Sequence, residues 1–219
     1  MSQPMFSMGV AVVVLCAASL SAPATLAQTA EPVPTPATLS ADDLQALTPQ
    51  LRKGGYIFYL RHGLTRLDQE DRQPVVKDDC ATQRNLSDEG RKQAETLGAA
   101  LRKARIPVGR VLSSPFCRCL DTARLAFASA EVSEDLYFAI GLTKLERQAK
   151  GASLRRLLAE QPTAGSNSVL VAHTANLEEA VGFWPKPEGT AILFQPDGTG
   201  GFRVLGRIPP DTWVMWAGR

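Results

Sequence analysis

The chain has 219 residues, with 24 basic against 22 acidic side chains and a formal net charge of +2. A composition of 44% hydrophobic and 21% charged residues is that of an average globular protein, which excludes a disordered chain, a collagen, a coiled coil and a polytopic membrane protein. No run of Lys and Arg concentrates the small positive charge, and only 6% of residues are aromatic, so nucleic acid is not expected as a partner.

Met8 to Leu20 is nearly all apolar. At about 13 residues it is shorter than the roughly 20 that span a bilayer. Thr25-Leu26-Ala27 then reads as a cleavage site. Residues 1–27 are therefore expected to be a secretory signal peptide, although no Lys or Arg precedes the apolar run. Cleavage near Ala27 would leave a periplasmic or secreted chain with no transmembrane span; the other reading is a retained anchor. Residues 28–40, rich in Pro, Thr and Ala, read as an extended linker. Residues 41–219 suit one domain.

Ser40 caps a helix that ends near Lys53-Gly54-Gly55. Tyr56 to Leu60 is a continuous apolar run, as in a strand covered on both faces. Arg61-His62-Gly63 follows at once, and residues 64–85 read as a long polar loop. Ser87 caps a second helix running to about Ala104. Pro107 to Ser113 is a strand, and Ser114-Pro115 is expected to cap and open a helix to about Ala128. Residues 131–148 are ambiguous, and Ser153 to Gln161 is expected to be a basic helix. Ser168 to Ala172 is another apolar strand with His173 just beyond it. Ala175 to Gly182 reads as helical. Apolar segments at 191–194 and 202–208 flank Pro196-Asp-Gly-Thr-Gly-Gly201, a hairpin signal. Strands alternating with helices predict an α/β fold, a three-layer sandwich with a mainly parallel central sheet.

Beyond the signal segment the cysteines are Cys80, Cys117 and Cys119. An oxidising compartment predicts one pair and one free thiol. Cys117 and Cys119 would point about 200° apart on a helix, so Cys80 with either of them is expected, against three reduced buried thiols. No CxxC and no nearby His complete a zinc site, so no metal and no cofactor is expected.

His62 and His173 are the only histidines, and each falls just past an apolar strand. Parallel neighbouring strands would bring both imidazoles to the carboxyl edge of the sheet, where ligands bind. Arg61 and a helix start carrying Arg118 would join them. Two Arg, two His and a helix N-terminus make a site for a tetrahedral dianion. Guanidinium groups repel a divalent cation, which speaks against metal there.

Four segments carry a resemblance. Arg61-His62-Gly63 after a strand resembles the RHG signature of the histidine phosphatase superfamily, the phosphoglycerate mutase-like fold. Leu86-Ser87 to Ala94 resembles its LSxxGxxQA helix. Ser113-Ser114-Pro115-Phe116-Cys117-Arg118 with Thr122-Ala123 resembles its SSPxxRxxxTA segment, and Val169 to His173 its second-histidine strand. Asp79 to Arg84 and the Pro-Asp-Gly hairpin are similar to an exported bacterial subgroup, which implies a Cys80–Cys117 bridge.

The resemblance implies a phosphomonoesterase. His62 would be the nucleophile that becomes phosphohistidine. Arg61, Arg118 and His173 would hold the phosphoryl oxygens, with Thr65, Ser114 and Thr174 lending hydrogen bonds. The substrate would be a small phosphorylated molecule or an envelope glycolipid phosphate. Two departures matter: Ala172 stands where Gly is usual before the second histidine, and Thr174 stands where one branch has an acidic proton donor. Glu188 and Asp135 are the candidate general acids. The alternative function is a catalytically weak or inactive phosphate-binding module of the same fold. Oligomeric state is not legible in the sequence.

Overall fold

The chain divides into two units, Met1–Glu31 and Pro32–Arg219. The computed structural model describes residue 1 and residues 35–218. Residues 2–27 of the expected signal peptide and residues 28–34 of the expected linker lie outside the described residues.

The elements of the second unit are α1 (Ala41–Leu51), β1 (Ile57–Arg61), α2 (Asp88–Lys103), β2 (Val108–Ser113), α3 (Cys117–Phe127), β3 (Glu131–Val132), α4 (Lys144–Ala159), β4 (Asn167–Ala172), α5 (Thr174–Val181), β5 (Ala191–Pro196), β6 (Phe202–Ile208) and α6 (Pro210–Ala217). The six strands form one sheet in the order β3-β2-β4-β1-β5-β6. The first four of that order run parallel, and β5 and β6 are antiparallel additions. Residues 37–39 lie along the outer side of β6: Leu39 N–H donates to the Arg207 carbonyl and Arg207 N–H to that of Ala37.

The sheet is buried on both faces, which explains its uninterrupted apolar strands. Phe58, Leu60, Val169, Val171 and Leu193 pack with Leu44, Leu97, Ala123 and Trp213 on one face, the side of α1, α2, α3 and α6. Ile57, Tyr59, Leu170, Ala172, Ile192 and Phe194 pack with Leu154, Leu158 and Leu177 on the other, the side of α4 and α5. The alternation of strand residues between the two clusters is the period of two of an extended chain. The expected three-layer α/β architecture is present.

Four local expectations are corrected. α3 begins at Cys117 with Phe116 at its N-cap, so Ser114 is not the cap. α4 begins at Lys144, nine residues ahead of the expected Ser153, because Thr143 and Glu146 form a reciprocal capping box. Glu131–Val132 is a short edge strand paired with β2. The C-terminal helix α6 was not anticipated. Its signals are Pro210 in the first turn and two buried tryptophans, Trp213 and Trp216, three residues apart.

Register places the site. Arg61 of β1 pairs with Ala172 of β4, and Ser113 of β2 with Val171. One residue on, His62, His173 and Ser114 emerge side by side at the carboxyl edge of three adjacent parallel strands.

Candidate active site

Three structural devices hold the turn after β1. Gly90 of α2 sits so close to Leu64 that an added Cβ would stand 1.9 Å from the Leu64 carbonyl oxygen. Gln93 Oε1 accepts the Leu64 N–H at 3.0 Å, and Ser87, the N-cap of α2, donates to the Leu64 carbonyl at 3.1 Å. Thr122 Oγ1 on α3 accepts the Gly63 N–H at 3.0 Å and donates to the Arg118 carbonyl at 2.6 Å. The Ser, Gly and Gln of one motif and the Thr of another thus brace the two residues that follow His62.

His62 is 3% exposed. Its Nδ1 lies 2.9 Å from the Gly63 carbonyl oxygen. A carbonyl only accepts, so Nδ1 carries the proton and the free lone pair sits on Nε2. Burial, with the Arg118 charge next in weight, holds the His62 pKa well below its usual value. His173, fully buried, is held low for the same two reasons, with the His62 charge third. The two rings meet edge to face with centroids 5.4 Å apart. His173 Nε2 pairs with Ser114 Oγ at 2.8 Å, and the Tyr59 hydroxyl donates to the His173 carbonyl. Ser114 therefore serves the second histidine instead of capping a helix. Thr174 opens α5 directly after His173 and is buried.

Arg118 is 1% exposed. Its Nη1 donates to Asp71 Oδ1 at 2.9 Å and to the Arg84 carbonyl at 3.3 Å. Phe116 and Phe138 pack on its guanidinium at 4.6 and 5.3 Å and on the His173 ring at 5.1 and 4.6 Å. Arg61 donates through Nη2 to Glu188 Oε1 at 2.9 Å and through Nη1 to the Pro185 carbonyl at 3.1 Å. Among the described residues, Arg118 Nε and Nη2 and Arg61 Nε are buried without a hydrogen-bond partner. Buried orphan donors on guanidinium groups are rare and costly, and an anion satisfies them.

Arg61, His62, Arg118 and His173 thus share one cluster, with Ser114 on His173 and Thr65 on Glu188. Thr65 donates to Glu188 through its N–H at 2.8 Å and its hydroxyl at 3.0 Å. Glu188 is brought to the cluster, but both its oxygens accept from Arg61 and Thr65. Oε1 accepts from Arg61 and Oε2 from the Thr65 N–H, so the carboxylate is engaged on both oxygens. Asp135 lies exposed in the single turn Glu134–Leu136 and forms no hydrogen bond or ion pair with the cluster. Among the described residues no group of three or more His, Cys, Asp or Glu is arranged to hold a metal ion.

Cys80 and Cys117 form a disulfide, one residue before Arg118. Cys119 is free and buried, its Sγ 3.5 Å from His173 Nε2. Burial pushes its thiol up to about 12. The sequence reading missed Asp71, Arg84 and Phe138 as neighbours of the cluster. Asp71 is one of five acidic residues in a polar loop, and nothing in its spacing separates it from its solvated neighbours. Arg84 lay within a motif that gave it no role. Arg147 pairs with Glu179, Lys150 with the Glu134 carbonyl, Arg155 with the Ala180 carbonyl and Arg156 with Ser153.

Residues 57–137 match the family model of the histidine phosphatase superfamily (branch 1). The match is to the family that the motifs resemble. No curated protein sequence matches the chain. Among solved structures, the histidine phosphatase SixA complexed with tungstate is 21% identical, over 71% of this chain and 97% of that one, with a TM-score of 0.50. The Entamoeba histolytica phosphoserine phosphatase is 15% identical, over 72% and 98%, at 0.48. A mycobacterial glucosyl-3-phosphoglycerate phosphatase is 20% identical, over 69% and 97%, at 0.48. The likeness to SixA is one of fold: the mixed six-stranded sheet flanked by helices is that of the histidine phosphatases.

Proposed function

We propose that the protein is an exported phosphomonoesterase that works through a phosphohistidine on His62. The observation that carries the reading is the pairing of a proton-bearing Nδ1 on His62, and so a free Nε2, with the buried orphan donors of Arg61 and Arg118. An imidazole kept neutral is a nucleophile, and unpaired guanidinium N–H groups in a dry site are matched to phosphoryl oxygens.

In the first half-reaction, the Nε2 lone pair forms a bond to phosphorus while the bond to the leaving oxygen breaks. Arg61, Arg118 and His173 stabilise the charge on the equatorial oxygens, and the α5 N-terminus beginning at Thr174 adds its dipole. The leaving oxygen takes a proton from water. In the second half-reaction, water attacks phosphorus, the N–P bond breaks, and phosphate and neutral His62 are released. The arginines supply the positive charge that a metal supplies in other phosphatases. The two carboxylates of the site, Asp71 and Glu188, are both engaged by arginines, so no carboxylic acid is poised to protonate a poor leaving group. General acid help is typically worth about 10²–10⁴-fold. The favoured substrates are therefore small phosphorylated molecules with a good leaving group, and an envelope glycolipid phosphate would react slowly. Export rests on the apolar N-terminal segment and fits a disulfide.

The absence of a positioned acid also supports a second reading, a phosphate-binding module with weak or no turnover. The test is hydrolysis of p-nitrophenyl phosphate by the full chain in EDTA, beside His62→Ala. Hydrolysis that survives EDTA and vanishes in the variant is expected, with phosphate trapped on His62 after acid-free quenching. Vanadate binding without His62-dependent hydrolysis overturns the phosphatase reading in favour of the binding module.

A further inference from the structure

We propose that Arg84 is a third phosphate-contacting arginine of this site, carried over the buried cluster by the loop of residues 64–85 and free to turn from Glu188 onto the bound anion. The proposal rests on the anion-binding part of the reading above and not on turnover.

The main chain of Arg84 is fixed at the cluster. Its N–H donates to Asp71 Oδ1 at 2.9 Å, and its carbonyl accepts from Arg118 Nη1 at 3.3 Å. The main chain of the residue thus bonds to both members of the Arg118–Asp71 pair. The loop that presents it is tied down on both sides. The Cys80–Cys117 bridge anchors it to α3, and Gln83 Oε1 accepts the Cys117 N–H at 2.9 Å. Lys77 pairs with Glu134 at 2.8 Å.

The side chain is held far less firmly. It is 34% exposed, and its ion partner is Glu188 Oε1 at 3.7 Å, too long for a hydrogen bond. Glu188 has already spent its oxygens on Arg61 and Thr65. Three guanidinium groups face two carboxylates here, and Arg61 and Arg118 each own a partner at 2.9 Å. Arg84 is the surplus cation, and a pair as long as 3.7 Å with a half-exposed arginine costs little to break. Its charge reaches both rings: with Arg118 and Arg61 it disfavours protonation of His62 and of His173. The guanidinium is thus within electrostatic reach of both imidazoles that flank the anion. A planar fork of donors suits two oxygens of one phosphoryl group.

The experiment is orthovanadate binding by calorimetry and p-nitrophenyl phosphate kinetics on the full chain, comparing wild type with Arg84→Gln, Arg84→Lys, Glu188→Gln and the Arg84→Gln/Glu188→Gln double variant. Removing charge-assisted hydrogen bonds typically costs about 10–100-fold. Arg84→Gln is expected to weaken vanadate binding by roughly that factor, with Arg84→Lys recovering part of it and the melting temperature unchanged. A loss at least as large is expected in the Glu188→Gln background, because the amide no longer competes with the anion for the Arg84 guanidinium and the two contacting residues need not add. Vanadate affinity equal to wild type in Arg84→Gln overturns the proposal. So does a loss that disappears in the Glu188→Gln background, which would make Arg84 a positioning group acting through Glu188. A wild-type chain that binds no vanadate overturns it as well. Vanadate binding that depends on Arg84 without any His62-dependent turnover sinks the phosphatase reading and leaves this one standing.

Discussion

Replacing Glu188 by Gln tests what holds Arg61 in place and whether the site owns a carboxylic proton donor. The carboxylate accepts the Thr65 N–H at 2.8 Å, the Thr65 hydroxyl at 3.0 Å and Arg61 Nη2 at 2.9 Å. The two charged side chains are only 15% and 11% exposed. An amide keeps one acceptor oxygen and turns an NH₂ toward either Thr65 or Arg61, so one donor faces another. Breaking a buried ion pair costs about 3–5 kcal/mol, and losing a hydrogen bond to a charged group about 1.5–3. With some solvent at this pair, the lower range applies, and Glu188→Gln should lose about 2–3 kcal/mol in urea unfolding. Arg61 then loses its fixed orientation, and kcat/KM should fall by roughly 30–160-fold if the same energy is lost from the transition state. The loss should be equal for p-nitrophenyl phosphate and for an alkyl phosphate, because orientation of Arg61 serves the phosphoryl group and not the leaving group. A general acid behaves differently: its removal would spare the aryl substrate and cost the alkyl one about 10²–10⁴-fold. That split between the two substrates would refute the positioning argument and make Glu188 the acid. Wild-type stability and rate in the variant would refute it too.

Three other perturbations read other parts of the site. His62 and His173 are both held neutral by burial first and the Arg118 charge second, so the unfolded chain takes up protons below about pH 6.5 that the folded chain does not. Stability should therefore fall as pH drops below about 6.5, by about 1.4 kcal/mol per pH unit per imidazole. Urea titrations at pH 7 and 5 should show a smaller drop in His62→Asn, and equal drops in the two proteins would contradict the assignment. Gly90→Ala places a methyl group 1.9 Å from the Leu64 carbonyl oxygen, so about 2–3 kcal/mol of stability should be lost by overpacking. Hydrolysis should fall with it, since Leu64 follows His62-Gly63; an alanine variant with wild-type unfolding and rate would show that α2 yields more easily than its contacts imply. The Cys80–Cys117 bridge closes a segment with a sequence separation of 37, for which chain entropy gives about 4 kcal/mol. Cys80→Ser should lose most of that and become insensitive to dithiothreitol, whereas reduction should destabilise the wild type; a variant as stable as the oxidised protein would rule out a stabilising bridge.

The fold and the centre of the site were largely legible. Continuous apolar runs mark strands covered on both faces, and a polar residue set directly beyond such a run lies at the sheet edge. His62 and His173 both obey this local rule, and parallel pairing brings them together. Arg118, in the first turn of the helix after the next strand, follows by the same logic. Glu188 and Asp135 were harder. Each is one acid among many on polar segments, and no local pattern separates a carboxylate that meets an arginine from one that meets water.

What the sequence determined by itself, apart from β3, the start of α4 and the whole of α6, was the alternation of strands and helices, the residues at the strand ends, and the motif segments beside them. These are consequences of period, propensity and short-range sterics, which act over a few residues. Only the tertiary structure decided that Ser114 pairs with His173 instead of capping α3. It alone decided that Asp71 leaves the solvated loop for Arg118 and that Glu188 meets Arg61 across 127 positions of sequence. Such pairings are chosen by which charges the packed backbone brings within a few ångströms in a site shielded from water, where the coulombic attraction is strong. That distance is set by the register of the sheet and the path of two loops, and no window along the chain contains it.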